Sequence, residues 1–373
     1  YGKHAKEAWK DSLRKPTMPD FVHLHLHSEY SLLDSTIKLD RLLARVEELN
    51  MNACAITDSG NMFGTARFYF AARERGIKPI IGSEMFVAPG SRFSQARKDR
   101  RPRPHHIVLI AYNNTGYRNL MKLSSLSHLE GYYYGPRVDK VLLAEYNEGL
   151  ICLTGCLSGE IPRLARQGSK KNLYAAVEEH LAIFGDRLYF ELQNNGYKRQ
   201  KEVNECLTKL SKHFGVPIVA TNNCHYLELN EKETYEILIA IRRGKKLDKI
   251  GMSRLITNEL HLRSGSEMKR VFSNYPEALS NTLRIAEMCD VAIDTETWHV
   301  PEPVVPDGMD IDGYLGNLSR RGLEERLAMM QSTESFSDGV YQAYGERLDH
   351  ELTAITNSGF SGYFAVVADF VNW

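Results

Sequence analysis

Phe21 to Ser35 reads FVHLHLHSEYSLLDS. The stretch sets His23, His25 and His27 at alternate positions of an apolar run, and Asp34 follows closely. Residues two apart on a β-strand face the same way. The spacing therefore predicts three imidazoles along one side of one strand, a face ordinarily given to Val, Ile or Leu. Neutral imidazole is the commonest protein ligand for divalent metals. A metal site at a strand end is the direct reading. A partly buried strand whose histidines are hydrogen-bonded is the competing one.

Working outward, short β-branched or apolar runs alternate with longer amphipathic ones. NACAITD (52–58), KPIIGSEMFVA, HIVLIAYN, GLICLTG, RLYFELQ and VPIVATN read as buried strands. LDRLLARVEELN, GTARFYFAARERG and QKEVNECLTKLSKHFG read as helices, the last stopped by Gly215. Strand alternating with helix predicts parallel strands with crossover helices. Repeated six or seven times, it predicts an α/β fold closed, or nearly closed, into a barrel. The chemistry of such barrels sits at the C-terminal strand ends.

Reactive side chains collect at those ends. Asp58 and Ser59 follow ACAIT, Glu84 follows PIIGS, and Cys156 follows ICLTG. Glu191 and Asn195 fall in and just after LYFELQ, and Asn222, Asn223 and His225 follow PIVAT. His25, His27, Asp34, Glu84, His106, Cys156 and His225 together offer N, O and S ligands suited to Zn, Mn or Fe. Paired metals activate water and clamp a phosphoryl group during hydrolysis, so the set points to phosphoester chemistry. His105 should face away from His106, toward solvent or a loop, and His23 should sit behind the metal pair.

A chain of 373 residues can bury a large core and accommodates more than one domain. Lys and Arg number 47 against 47 Asp and Glu, so no global field draws it to nucleic acid or membrane. The basic runs 91–106 and 242–246 could track phosphates locally, although solvated loops explain them as well. The six cysteines lack disulfide-framework spacing, which favours a reducing cytoplasm. No apolar run reaches bilayer length, and the polar start lacks a signal-peptide core. Residues 1–18 read as an extension and 19–290 as the first domain. From 291 to 373 come a Pro- and Asp-rich linker and helical stretches. The closing GYFAVVADFVNW has no capping residue after it, which suggests a piece of a longer protein.

FVHLHLHSEYSLLDS, AITDSGNMFGTARFY, GIKPIIGSEMFVAPGSR, LTGCLSGEIPR and VATNNCHYL closely resemble the polymerase and histidinol phosphatase (PHP) domain. More narrowly, they are similar to the N-terminal PHP domains of the bacterial replicative DNA polymerase III alpha family. GFSGYFAVVADFVNW resembles the start of that family's palm. The resemblance implies a distorted (βα)7 barrel followed by the beginning of an α+β palm. It implies a metal centre in which His25 and His27 match the H-x-H pair and Asp34 the acid of SLLD. Glu84, His106, Cys156 and His225 match further ligand positions.

Two positions depart from the family's pattern. Ser59 stands where TDHGN would place a histidine, and Asn223 stands where TND would place an aspartate. Losing one imidazole and one carboxylate weakens a multi-metal cluster. The resemblance therefore implies a partly degraded site that holds Zn or Mn structurally. DNA-directed DNA polymerase activity would need Mg and palm aspartates beyond Trp373. The partners it implies are the rest of the alpha subunit, the proofreading exonuclease subunit, the replicase holoenzyme and DNA. A free-standing PHP phosphoesterase is the alternative, and a non-catalytic interaction module is a third reading.

Overall fold

Six strands form one sheet in sequence order: β1 (Ala53–Ile56), β2 (Lys78–Val87), β3 (His105–Ala111), β4 (Leu150–Leu153), β5 (Leu188–Gln193) and β6 (Ile218–Thr221). The computed structural model describes residues 21–95, 103–244, 246, 259–297, 303–306, 308–331 and 338–373. The predicted extension, residues 96–102 of the 91–106 basic run and Lys245 of the second basic run lie outside them. The chain divides into one unit ending at Ile293 and another beginning at Asp294.

Each strand of the first unit sends alternate residues into two different cores. Ala53, Ala55, Ile80, Val108, Ile110, Ile151, Leu153, Tyr189 and Val219 share one cluster. Cys54, Ile56, Ile81, Ile107, Leu109, Cys152, Phe190 and Ala220 belong to the other, packed with the flanking helices. Both faces of the sheet are thus apolar, which explains why the strands read as unbroken hydrophobic runs.

The sheet curls until residues 21–27 bridge its two edges. Ala55 N donates to His23 O at 2.9 Å and Thr57 N to Leu26 O at 2.8 Å. On the other side, His27 N donates to Cys224 O at 2.9 Å and Cys224 N to His25 O at 3.2 Å. The barrel predicted from six or seven units is closed by its own first segment.

The expectation of parallel strands throughout needs one correction. β3 runs antiparallel to both β2 and β4, while the other neighbours are parallel. No helix is described between β2 and β3, and an antiparallel pair needs none. Consequently the N-terminal end of β3, not its C-terminal end, reaches the mouth of the sheet.

Glycine is required where the helix Asn114–Leu129 meets the turn before β4. A Cβ on Gly116 would lie 1.8 Å from Gly149 O, and Gly149 has φ +74°. Gly116→Ala should therefore lower stability by at least about 1–3 kcal/mol, since overpacked atoms must push backbone apart. A urea melt unchanged by this substitution would mean that the two backbones separate freely.

Described residues of the second unit form the helices Ile311–Gln331, Asp338–Asn357 and Ser361–Asn372. MDIDG opens the first of them, and Asp310 accepts from Gly313 N at 2.7 Å as a helix-start acceptor. The last helix leaves Phe370, Val371 and Trp373 exposed. Among the described residues no helix is long and apolar enough to cross a membrane.

Candidate metal centre

Along β5, Tyr189 lies in the inner apolar cluster, so Glu191 and Gln193 continue the same face one pleat and two pleats higher. Val219 does the same for Thr221 on β6, and Ile80 for Glu84 on β2. On β3, which runs the other way, Ile110 and Val108 lead to His106. The inner face is apolar below and polar above, and the polar layer surrounds His25 and His27.

The first segment reaches that layer through a bend at His25. Val22 and Leu24 belong to the inner cluster, whereas Leu26 packs in the outer one. The bend shifts the alternation, so the three histidines do not share one face as the spacing predicted. His23 Nε2 donates to Arg263 O at 2.8 Å, and its Nδ1 lies 3.5 Å from Cys224 Sγ. His25 and His27 remain together, with ring centroids 5.2 Å apart.

Two triplets of ligand atoms converge. His25, His27 and Glu84 form one, and Glu84, His106 and Cys156 form the other, each with its atoms within 4.8 Å of one another. Glu84 belongs to both. His106 Nδ1 donates to Glu84 Oε1 at 3.0 Å, and Cys156 Sγ lies 4.0 Å from the same nitrogen.

Each histidine of the pair is fixed by its Nδ1. His25 Nδ1 lies 2.6 Å from Glu191 Oε1. Gln193 Nε2, at 2.7 Å, and Thr221 Oγ1 donate to that same oxygen. His27 Nδ1 lies 3.1 Å from Ser31 Oγ and 3.2 Å from Ser59 Oγ. Ser31 Oγ itself donates to Asp58 at 2.6 Å, so it accepts from His27. Ser28 N and Oγ also donate to Asp58, which makes this buried acid the anchor of the loop after His27.

With both Nδ1 atoms engaged, the Nε2 atoms of His25 and His27 are buried and make no close hydrogen bond, although His25 Nε2 lies 3.4 Å from Glu84 Oε1. Buried imidazole nitrogens ordinarily find partners. Two buried imidazole nitrogens beside a buried carboxylate fit a divalent cation, which on binding would displace the proton that His25 carries without it. The ring tautomers set by Glu191 and Ser31 are those a metal ligand needs.

Electrostatics agree with that fit. Burial pushes His27 well below the usual histidine range, as does the neighbouring His225 ring, so it is a neutral ligand. Burial opposes ionisation of Glu84, but His106 and His25 outweigh it and hold the carboxyl well below its usual value. Burial also opposes protonation of His25, yet Glu191 and Glu84 raise it to about 10. In the metal-free site a proton on His25 therefore takes the place of positive charge.

The remaining predicted residues form a third side. His225 stacks on His27 with centroids 4.4 Å apart, and its Nδ1 donates to Asp34 O at 2.6 Å. Ser59 Oγ is 3.5 Å from both Asp34 Oδ2 and Glu84 Oε2, so Ser59 does face the site. Asn223 has φ +49°, and its buried Oδ1 has no hydrogen-bond partner. Asp34 carries an ion pair with Arg242.

The sequence placed Glu191 among the strand-end side chains but gave it no role in the site, and it gave Arg242 no place in the site at all. Glu191 carried a signal, being a lone charge in an apolar strand. Arg242 belonged to a basic run read as solvated or phosphate-tracking, and its pairing with Asp34 is a contact across the fold. In the other basic run, Arg92 is taken up by Glu130 and Asp139. His105 is buried, not in solvent as predicted.

Residues 23–195 match the family model "PHP domain", and residues 313–373 match "Bacterial DNA polymerase III alpha NTPase domain". The chain is 39% identical over 359 residues to the DNA polymerase III subunit alpha of Borreliella burgdorferi. It is 40% identical over 355 residues to that of Treponema pallidum and 37% over 368 residues to that of Aquifex aeolicus. Each alignment covers 95% of this chain. The chain spans only 30–31% of the length of these relatives.

Proposed function

Because the chain belongs to the family of bacterial DNA polymerase III alpha subunits, we propose that it is the N-terminal part of a replicative DNA-directed DNA polymerase. Residues 19–290 are then a PHP module, and 291–373 a linker leading into the palm. Polymerisation belongs to the full-length subunit, where palm aspartates would hold Mg²⁺ against the incoming nucleotide. The 373-residue chain alone should not extend a primed template. Extension by it would overturn this division of labour.

The PHP module holds divalent metal, Zn or Mn, through His25, His27, Glu84, His106 and Cys156. The convergence of the buried Nε2 atoms of His25 and His27 on Glu84 carries this reading. The metal's role is structural, and the module serves as a platform for the polymerase core. In the cytoplasmic replicase it also offers a surface to the proofreading exonuclease subunit. Hydrolytic chemistry is disfavoured because Ser59 and Asn223 supply neither an imidazole nor a charge at their positions.

Elemental analysis of protein purified without chelator tests this. We expect about one or two ions per chain, the number two triplets sharing one carboxylate can hold. His25→Ala and Glu84→Ala should each abolish the rise in Tm produced by added Mn²⁺ or Zn²⁺, because ligand binding to the folded state stabilises it by mass action. An unchanged metal-dependent rise in both variants would remove these residues from the centre.

Rebuilding the absent ligands should have the opposite effect. Ser59→His combined with Asn223→Asp should tighten Mn²⁺ binding by at least about tenfold in isothermal titration. Position 223 suits the exchange because aspartate, like asparagine, tolerates a left-handed backbone. No gain in affinity would show that the two side chains do not address the bound ion.

A further inference from the structure

The third side of the centre contains a cation of the protein's own. Asp34 and His225 sit beside the two triplets, yet the Asp34 carboxylate is already paired with the Arg242 guanidinium. We infer that Arg242 acts as a built-in substitute for a metal ion on Asp34, so that it both neutralises this side and keeps a further divalent cation out.

The helix Lys232–Arg243 is placed so that Arg242 reaches the mouth. Tyr235 and Ile239 are buried against Tyr226 and Leu260. Arg242 lies seven residues after Tyr235 and three after Ile239, so it shares their face of the helix. The Tyr235 ring lies 5.4 Å from the His225 ring, which ties this helix directly to the site. Arg242 also occupies the last turn of the helix, where the macrodipole favours a cation.

Donor chemistry explains why an arginine serves here and a metal does not. A divalent ion on this side would find one carboxylate not already shared by the two triplets, Asp34, and one imidazole, His225. Its other neighbours, Ser59 and Asn223, are neutral. Guanidinium needs less: it is permanently charged, weakly hydrated and shaped to hold a single carboxylate. One such charge balances one carboxylate, whereas a divalent ion would leave an excess positive charge beside His25 and His106.

The inference rests on the metal-centre reading, and its test separates the two. Metal content and the Mn²⁺ concentration giving half of the thermal shift are measured for the wild type, Arg242→Gln, Arg242→Lys and Arg242→Gln with Asp34→Asn. Arg242→Gln should bind additional metal, with a half-shift concentration lower by at least about tenfold, the effect of removing one repelling unit charge at contact distance. Arg242→Lys keeps the charge and should behave as the wild type. The double variant should lose the gain, because the gain requires the Asp34 carboxylate.

Metal in the wild type with no gain in Arg242→Gln would overturn this inference and leave the metal centre standing. No metal in the wild type but a gain in Arg242→Gln would support it and refute the metal-loaded native centre. No binding in any form would overturn both. A gain retained in the double variant would also overturn the inference, since the added ion would then not be held by Asp34.

Discussion

Glu191→Ala should unfold this protein more easily by about 3–5 kcal/mol, the cost of removing one partner from a buried charge network. The reason is the number of donors that meet on one oxygen. Glu191 Oε1 receives His25, Gln193 and Thr221, and all four side chains are buried. Truncation takes the shared acceptor from three buried donors, of which Gln193 Nε2 alone keeps a second one, Thr221 Oγ1 at 3.2 Å. The same change should weaken Mn²⁺ binding by about 10–100-fold, because His25 loses the group that sets its tautomer and ring orientation. Glu191→Gln keeps the shape and one acceptor, and should recover part of the stability. Urea melts and a metal-dependent thermal shift read the two effects separately. A loss below about 1 kcal/mol, with metal affinity unchanged, would mean that Glu191 supports nothing beyond its own hydrogen bond.

The second large effect is a loss of stability in mild acid traced to His23. Its ring is fully enclosed, and burial lowers its pKa to about 4 despite the bond to Arg263 O. An unfolded histidine titrates near 6.5, so between these values the unfolded chain binds the extra proton. The stability that His23 confers is complete above about pH 6.5 and falls away as the pH drops toward 4. The linked loss reaches about 3 kcal/mol. His23→Gln retains a donor for Arg263 O and removes the titration, so its profile should be flatter across this window. Unfolding free energies at several pH values between 7.5 and 4 decide the matter. Parallel profiles for the two proteins would show that His23 is hydrated in the folded state.

His25 titrates in the opposite sense in the metal-free protein. Its folded pKa of about 10 lies above the unfolded value. The stability from its pairing with Glu191 and Glu84 is therefore full below about pH 6.5 and declines as the pH rises through 10. Two histidines two residues apart thus bound stability from opposite sides.

Much of this was legible before any coordinate. β-Branched runs bounded by turn residues marked all six strands, because burial on both faces imposes composition without reference to partners. The H-x-H pair and several residues at the strand ends do lie together in the fold, because inner-face parity is a local property. Three features were not legible, each for a non-local reason. The bend that separates His23 from His25 follows from pairing 21–27 with two edges at once. The reversal of β3 leaves no periodic mark, since an antiparallel strand buried on both faces reads like a parallel one. Arg242 meets Asp34 only because Tyr235 and Ile239 seat their helix beside the mouth.

The closing of the sheet also has a consequence in time. One of the two edges that residues 21–27 bridge, at Cys224, is made nearly two hundred residues after them. At bacterial synthesis rates the segment waits roughly 10 to 40 s for that edge. Until then an apolar strand with three unprotonated histidines is open to any passing strand edge or hydrophobic surface. Its protection during synthesis must come from a chaperone or from provisional pairing with β1 alone. Nascent chains stalled before residue 224 should therefore be protease-sensitive at this segment, and chains stalled well beyond it should be resistant there.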